Sequence, residues 1–185
     1  MLDDVYQEVE HKMERSIDAL RRELSRIRTG RASLALLDGI KIDYYGTATP
    51  LSQLATLSVP ESRLITIQPW DKTQLGMIEK AIQSSDLGLT PMNDGALIRL
   101  AIPALTAERR KELVKQVKKM GEESKIALRN VRRDGNETLK SFEKDKLVSE
   151  DDMRRGQEQV QKITDRYIAS VDDILQTKEH EVLEV

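Results

Sequence analysis

The feature that most constrains the fold of this chain is a helical repeat of apolar residues that occupies both ends of the sequence and is missing from the middle. At the N-terminal end, apolar side chains recur every three or four positions, as in an α-helix with one buried face. They are Leu2, Val5, Val9, Met13, Ile17, Leu20, Leu24 and Ile27. Gly30 then stands where a C-capping glycine is expected, with Arg26 and Arg28 complementing the dipole of the last turn. The pattern predicts a long helix that ends near Gly30.

The same repeat returns from Thr106 onward and predicts two further helices. The apolar face of the second helix is Leu113, Val117, Met120, Leu128, Val131 and Phe142. Gly121 and Gly135 lie inside it, and each is expected to weaken the helix locally by about 1 kcal/mol relative to alanine. Ser149, with Asp152 three positions later, resembles a capping box that begins the third helix. The face of that helix is Met153, Val160, Ile163, Tyr167, Val171 and Ile174.

The middle of the chain has the signals of a small mixed domain. Ile40, Ile42 and Tyr44 alternate with polar residues, which predicts a half-buried strand. Further strands are predicted over residues 63–68 and 96–102, the latter after the turn signal Asn93-Asp94-Gly95. Asp71 with Gln74 is typical of an N-cap and predicts a short helix through Ile82. Trp70, beside Pro69, is interpreted as core packing, and Asp71 and Asp94 as cap and turn residues rather than catalytic groups.

Each amphipathic helix must bury its apolar face on a neighbour, since helices of this kind are marginal alone. The predicted fold class is therefore α+β, an antiparallel three-helix bundle with an inserted small β/α/β domain. Residues 1–29 and 106–185 would form the bundle and residues 30–105 the insert. Two short connections permit bending but not separation, and we interpret them as a two-stranded hinge. Its expected residues are Thr29, Gly30, Arg31, Ala104, Leu105 and Thr106.

Charge is distributed unevenly along the chain. The net charge is −2, yet between Thr106 and Arg133 ten Lys/Arg face four acids, a net +6. Such local placement favours recognition of a specific polyanion. Most of these cations follow a spacing of fours and threes that Glu122 interrupts once, and Arg109 to Arg133 spans about 36 Å of helix. The stripe comprises Lys111, Lys115, Lys118, Lys125, Arg129 and Arg132.

Two ordinary explanations compete with a binding role for this stripe. The first is a solvated helix face, but Arg109, Arg110 and Lys111 stand near a helix start, where the dipole disfavours cations. Arginines also bind phosphate bidentately, where lysine would suffice for solubility. The second is internal neutralisation by the last helix, since residues 150–185 hold ten acids and five Lys/Arg, a net −5. The sequence leaves that alternative open.

The sequence lacks the residues and motifs that several classes of protein require. There is no cysteine, which excludes disulfides and thiolate-bound metal sites, and His11 and His180 stand near opposite ends of the chain. His11 is expected on the surface. A phosphate-binding glycine loop, an H-E-x-x-H motif and an evident nucleophile pair are also missing, so we expect no enzyme, no metal and no cofactor. A hydrolase that uses buried carboxylates remains a rival.

No apolar run reaches about 18 residues, and we expect no membrane association and a cytoplasmic location.

The aromatic content of the helices indicates which class of nucleic acid the basic stripe would bind. Single-strand binders stack bases on aromatic side chains, and the helical segments hold only Tyr6, Phe142 and Tyr167. Folded RNA that is recognised by shape and phosphate geometry fits better. The rival from another class is a helical adaptor whose basic and acidic helices pair with partner helices.

Several motifs in one order resemble the bacterial ribosome recycling factors from end to end. Near the first connection stand Ile27-Arg28-Thr29-Gly30-Arg31-Ala32-Ser33, Leu37-Asp38-Gly39 and Tyr44-Tyr45-Gly46-Thr47. The insert has Ser84-Ser85-Asp86-Leu87-Gly88-Leu89. The last two helices begin with Leu105-Thr106-Ala107-Glu108-Arg109-Arg110-Lys111 and Ser149-Glu150-Asp151-Asp152, and between them stands Arg129-Asn130-Val131-Arg132-Arg133-Asp134. Gly135 stands where the family more often resembles alanine.

The resemblance implies an L-shaped, two-domain monomer that acts after translation termination. With elongation factor G and GTP, such a factor splits the post-termination ribosome into subunits. It implies that the bundle binds large-subunit ribosomal RNA near the peptidyl-transferase region, while elongation factor G displaces the smaller domain. The residues expected at the ribosomal RNA are Arg129, Arg132, Arg133, Arg110, Lys118 and Lys125, with Arg28 and Arg31 near the hinge.

Overall fold

The computed structural model describes residues 1–184, and its α+β fold confirms the predicted class. The chain divides into two compact units. A helical unit contains Met1–Arg28 and Thr106–Glu184, and a small unit contains Thr29–Leu105. The division after Arg28 falls one residue before the expected boundary at Gly30.

The helices and strands follow one another in the order helix, strands, helix, strands, helix, helix. Their bounds are α1 Leu2–Ser25, β1 Lys41–Tyr44, β2 Thr47–Pro50, β3 Ala55–Glu61, β4 Leu64–Pro69, α2 Leu75–Gln83, β5 Pro91–Asn93, β6 Ile98–Ala101, α3 Ala107–Lys144 and α4 Glu150–Leu183. Short 3₁₀ turns at Leu34–Leu37, Leu51–Gln53 and Lys72–Gln74 complete them.

The helical unit is a three-helix bundle in which every helix packs on both others. Val9 of α1 lies beside Gly135 of α3, and Ser16 and Leu20 of α1 share a groove with Ser124 of α3, so these two helices run antiparallel. The apolar stripes that the sequence predicted form its core. Its buried residues include Val5, Val9, Met13, Ile17, Leu20, Leu24, Leu113, Val117, Leu128, Leu139, Val160, Ile163, Val171 and Val182.

Side-chain caps explain where two of these long helices begin. Thr106 Oγ1 accepts a hydrogen bond of 3.1 Å from the Arg109 backbone N–H. Ser149 Oγ accepts one of 3.0 Å from the Asp152 backbone N–H, which confirms the predicted cap. The predicted end of α1 is wrong, because the helix stops at Ser25 with Arg26 as its C-cap.

The interior glycines of α3 are packing residues, which corrects their interpretation as mere weak points. A Cβ on Gly121 would lie 2.2 Å from Cδ1 of Leu175 on α4. A Cβ on Gly135 would lie 2.8 Å from Cγ2 of Val9. Gly156 of α4 has a similar contact, with 3.0 Å between its added Cβ and Cδ1 of Leu139. The missing side chains therefore allow the helices to approach closely.

The small unit contains two antiparallel sheets. Strands β1 and β2 form a hairpin whose turn, Tyr45-Gly46, has left-handed backbone at both residues, with φ of 50° and 84°. The other four strands form a sheet in the order β3-β4-β6-β5. Ile65 and Ile67 of β4 pair with Leu100 and Ile98 of β6, and this buried face packs with α2. The core also includes Leu37, Ile40, Ile42, Leu51, Leu54, Ala55, Leu75, Ile78 and Ile82.

Three strands of the small unit were missed by the sequence analysis. Strand β2, Thr47–Pro50, is mostly exposed and has no apolar alternation. Strand β3 contains Pro60 and a register irregularity between Ser58 and Glu61, and β5 begins at Pro91. Both prolines are in positions where a strand tolerates them, since proline is found at bulges and at the first residue of a strand.

The outer face of the four-stranded sheet is open to solvent and holds Trp70. The expectation that Trp70 belongs to the core is wrong, since the residue is 66% exposed. Its Nε1 donates a hydrogen bond of 2.9 Å to Thr56 Oγ1. Thr66 and Arg99, paired in register, lie on the same side of the sheet, where Arg99 is opposite Met92. An aromatic residue directly after the alternating strand β4 continues the polar side of that alternation, which is the signal that was overlooked.

Candidate nucleic-acid interface

The cations of α3 gather on one side of the helix. Lys111 and Arg129 are eighteen residues apart, as are Lys115 and Arg133, and this distance is five full turns at 3.6 residues per turn. Each pair therefore lies on one line along α3, about 27 Å apart at 1.5 Å per residue. We call the following side chains the basic strip: Lys111, Lys115, Lys118, Lys125, Arg129, Arg132 and Arg133.

The strip borders α4, the acidic helix, at two points. Lys125 Nζ lies 2.7 Å from Asp172 Oδ1 and 3.8 Å from Glu122 Oε1, with only 16% of its side chain exposed. Arg132 is half-buried, and its Nη1 donates a long hydrogen bond of 3.4 Å to Gln161 Oε1. Lys125 is therefore neutralised within the bundle, whereas Arg132 keeps its charge and most of its donors.

The rest of the strip is not neutralised. Within residues 1–184, no acidic side chain forms an ion pair with any of the remaining members. All of them are exposed; they are Lys111, Lys115, Lys118, Arg129 and Arg133. The acids of α4 pair elsewhere instead, as Glu150 does with Arg154 at 2.6 Å. Internal neutralisation, the alternative that the sequence left open, is thus confined to Lys125 in the described part of the chain.

Near its N-terminal end, α3 carries two more cations. Arg109 Nη1 lies 3.0 Å from Glu112 Oε2, so this arginine has an ion-pair partner one turn away. Arg110, a predicted site residue, is half-buried, and its Nε is fully buried without a hydrogen-bond partner. A buried donor without an acceptor is unfavourable. Arg110 Nε is therefore closed to a ligand, and only the terminal nitrogens of the guanidinium could serve one.

The predicted hinge residues lie in two connecting segments. Arg28 ends the first part of the helical unit, while Thr29, Gly30 and Arg31 begin the small unit. Gly30 has a φ of +77°, and a Cβ on it would lie 3.2 Å from Leu105 Cγ, so the two segments run side by side. Ala104 and Leu105 end the small unit, and Thr106 is the cap of α3. Arg28 and Arg31 are both exposed.

The chemistry that this arrangement favours is binding of phosphate. The guanidinium groups of Arg129 and Arg133 are exposed on adjacent turns and can each form two parallel hydrogen bonds to a phosphate. Lysines Lys111, Lys115 and Lys118 extend the same positive side toward the start of α3. Lys111 and Lys115 are in the predicted stripe but were not among the predicted site residues. Their spacing of one helical turn was the sequence signal that they lie on the same side of α3.

Two acidic side chains of the small unit, Asp71 and Asp94, have structural partners. Asp71 accepts hydrogen bonds from Thr73, 2.6 Å from the hydroxyl and 3.0 Å from the backbone N–H, and these lower the pKa of its carboxyl. Asp94 accepts backbone hydrogen bonds of 2.9 Å from Leu97 and Ala96, which with Arg99 lower its pKa to about 2. Both predictions, of a cap and a turn residue, are confirmed. Gln74 is not part of the Asp71 cap, because Thr73 takes that role and Gln74 is buried.

Across positions 1–184, no three His, Asp or Glu side chains come together as a metal site would require. His11 is exposed on α1, as predicted. None of the helices in the described range combines the length and the apolar character that crossing a membrane requires.

Comparison with known proteins gives a consistent family match. The family model described as "Ribosome recycling factor" matches residues 20–183. The ribosome-recycling factor of Desulfatibacillum aliphaticivorans is 60% identical over 184 residues, covering 100% of both chains. That of Oleidesulfovibrio alaskensis is 56% identical over 184 residues, again covering 100% of both.

Two solved structures resemble the fold. One is the solution structure of a ribosome recycling factor, with a TM-score of 0.75 and 41% identity, covering 100% of this chain and 98% of that one. The other is the Thermus thermophilus factor, described together with Escherichia coli elongation factor G on the E. coli post-termination complex. It has a TM-score of 0.64 and 44% identity, with 99% of each chain covered.

Proposed function

This chain belongs to the ribosome recycling factor family, and from that premise we propose that it splits post-termination ribosomes into subunits together with elongation factor G and GTP. The basic strip of α3 would bind folded RNA of the large subunit through phosphate contacts. The observation that carries this proposal is that α4 neutralises only Lys125 and leaves Arg129 and Arg133 exposed.

In this mechanism the helical unit is the anchor. The strip lies on one rigid helix, so its arginines and lysines keep fixed spacings and match a fixed set of phosphates. Charge-assisted hydrogen bonds to phosphate supply about 1.5–3 kcal/mol each. No covalent step is assigned to this chain. The partner GTPase hydrolyses GTP, and this chain transmits the mechanical effect of that hydrolysis to the ribosome.

The small unit would move relative to the anchor. We propose that the two segments Thr29–Arg31 and Ala104–Thr106 act as a hinge when elongation factor G pushes the small unit. The left-handed φ of Gly30, +77°, gives one segment a conformation that other residues rarely adopt. We further propose that the chain works as a monomer in the cytoplasm, because its assigned partners are the ribosome and a GTPase.

The deciding experiment is subunit splitting. Post-termination ribosomes are mixed with the full chain, elongation factor G and GTP, and dissociation is followed by light scattering. We expect splitting that requires both proteins and GTP. If no subunits separate under conditions in which a known recycling factor works, the functional proposal is wrong.

Salt dependence of binding separates the anchor from a helical adaptor. Affinity for purified large subunits should fall steeply as salt rises, because each phosphate contact releases condensed counterions. An adaptor that pairs with partner helices should not bind large subunits at all. Salt-insensitive binding would instead show that the strip is not the anchor.

A further inference from the structure

Two cations of the basic strip lie at its border with α4, and they face different partners. Lys125 Nζ lies 2.7 Å from Asp172 Oδ1, and only 16% of the lysine side chain is exposed. Arg132 stands seven residues further along α3, and its Nη1 donates a hydrogen bond of 3.4 Å to Gln161 Oε1. A carboxylate thus neutralises one cation, whereas the other cation faces a neutral amide.

The register of the two helices places a carboxylate near Arg132 as well. From one contact to the other the residue number rises along α3 and falls along α4, so the helices run antiparallel. Asp165 stands seven residues before Asp172 on α4. Seven residues are about two turns on each helix, so the register that joins the first pair brings Asp165 toward Arg132. Even so, among residues 1–184 Asp165 forms no ion pair.

Gln161 links the arginine to this carboxylate. Its Nε2 donates a hydrogen bond of 2.8 Å to Asp165 Oδ1, four residues further along α4, and its Oε1 accepts the hydrogen bond from Arg132. A guanidinium can only donate and an ionised carboxylate can only accept, so only one orientation of the amide satisfies both neighbours. The single amide group therefore engages the carboxylate and presents a neutral oxygen to the arginine.

The neutrality of the contact at Arg132 matters for a phosphate ligand. When an arginine pairs with a carboxylate, the carboxylate occupies the same fork of donors that would bind a phosphate bidentately. Gln161 takes one donor of Arg132 through a long hydrogen bond and brings no negative charge. Across the described chain Arg132 has no ion-pair partner, so its charge and its other donors remain for a phosphate.

We propose that Gln161 is a positioning residue, which orients Arg132 toward phosphate and keeps Asp165 from neutralising it. Gln161 acts through the arginine and does not itself contact RNA. Its role rests on the proposed function, because Arg132 matters only if the strip binds RNA. The acidic helix α4, with a net charge of −5 over residues 150–185, thus supports the basic strip at this point instead of opposing it.

The test measures the affinity of the full chain for purified large subunits over a range of salt concentrations. Gln161→Ala should weaken binding about tenfold, because Asp165 is then free to pair with Arg132 and about one charge-assisted contact is lost. The slope of log affinity against log salt should become shallower by about one, since one phosphate fewer is neutralised. A purely structural role of Gln161 would not change this slope. Unchanged affinity and slope would overturn the proposal.

Removing the carboxylate should reverse the effect. Gln161→Ala with Asp165→Asn should return the affinity to within about twofold of that of the parent chain, because no carboxylate is left to occupy the donors of Arg132. The charge-matched control is Gln161→Ala with Asp173→Asn, which removes an exposed acid eight residues further along α4. If this control restores as much affinity, Asp165 acts only through the overall charge of the chain and the proposal is wrong.

An arginine variant separates this proposal from the proposed function. Arg132→Ala should itself weaken large-subunit binding about tenfold, and Gln161→Ala should add nothing in that background. A further loss there would mean that Gln161 does not act through Arg132. If Arg132→Ala binds as tightly as the parent chain, the strip does not anchor through this arginine and both proposals fail at this residue. If it binds weakly while Gln161→Ala binds normally, only the role of Gln161 is wrong.

Discussion

Helices α3 and α4 pack side by side and have net charges of opposite sign, yet ion pairs contribute little to the contact between them. Residues 106–133 have a net charge of +6, and residues 150–185 have a net charge of −5. Lys125 and Asp172 form the one ion pair that joins the two helices in the described chain. The helices instead meet through close packing, as where Gly121 of α3 faces Leu175 of α4. The complementary net charges of α3 and α4 therefore do not show that their side chains pair, and the exposed strip residues Lys111, Lys115, Lys118, Arg129 and Arg133 remain available.

The largest expected effect comes from removing the unpaired arginines. Arg129→Ala with Arg133→Ala should weaken binding to large subunits at least about 100-fold, since each arginine supplies charge-assisted contacts of about 1.5 kcal/mol or more. The free energy of unfolding should stay within about 0.5 kcal/mol, because both side chains are exposed and unpaired. Filter binding at two salt concentrations and urea unfolding measure the two quantities.

The control for this double variant is a pair of arginines on another helix. Arg15→Ala with Arg22→Ala removes the same charge from exposed positions of α1. If this control loses as much affinity as the strip variant, the ribosome senses the overall charge of the chain and the contrast between α3 and α4 has no functional meaning.

Close packing should contribute more to stability than charge at the α3–α4 contact. Gly121→Ala should lower the free energy of unfolding of the helical unit by about 1–2 kcal/mol. The added Cβ would lie 2.2 Å from Leu175 Cδ1, and overpacking outweighs the gain in helix propensity of about 1 kcal/mol. Thermal or urea unfolding monitored by circular dichroism checks this.

A glycine without neighbours provides the matched control. Gly76 lies in α2, and a Cβ on it would have no atom within 4 Å. Gly76→Ala should therefore raise stability by up to about 1 kcal/mol. If Gly121→Ala is also stabilising, Leu175 moves aside readily and close packing does not hold α3 against α4.

The helices could be predicted from the sequence because their signals are local. The apolar repeat of α1 and the Ser149 cap of α4 depend on residues within a few positions of each other. The exposed strand β2 and the proline-initiated strand β5 had no such signal, because their pairing depends on partners brought close by the fold. Trp70 is a different case, because it continues the polar side of the alternation in β4 and this local signal was overlooked.

In the candidate site, too, some features follow from local sequence and others depend on tertiary packing. The spacing of Arg129 and Arg133 is a property of one helix, so the basic strip could be predicted from the sequence. That Lys125 is neutralised while Arg129 is not depends on the register of α3 against α4, which places Asp172 2.7 Å from Lys125. No local pattern encodes that register.

A smaller effect is expected from the ion pair itself. A double-mutant cycle with Lys125→Ala and Asp172→Ala should give a coupling energy of at most about 1 kcal/mol, because Asp172 is 57% exposed and solvent screens the pair. Lys125→Ala should also reduce large-subunit affinity less than Arg129→Ala does. A coupling energy of several kcal/mol would mean that charge does join the two helices.

The smallest effect concerns Asp94 of the small unit, an acid that accepts hydrogen bonds from two backbone N–H groups and from Arg99. Backbone hydrogen bonds from Leu97 and Ala96, with Arg99 2.6 Å away, lower its pKa from 3.8 to about 2. A lowered folded-state pKa stabilises the fold above the unfolded pKa, and that contribution is lost as the pH falls from 3.8 toward 2. Asp94→Asn should therefore lower stability slightly at pH 7 and flatten its dependence on pH below 4. Urea midpoints of both proteins from pH 7 to pH 2, followed by Trp70 fluorescence, measure this. Parallel curves for Asp94→Asn and the parent chain would mean that the carboxylate charge contributes nothing to the turn beyond its hydrogen bonds.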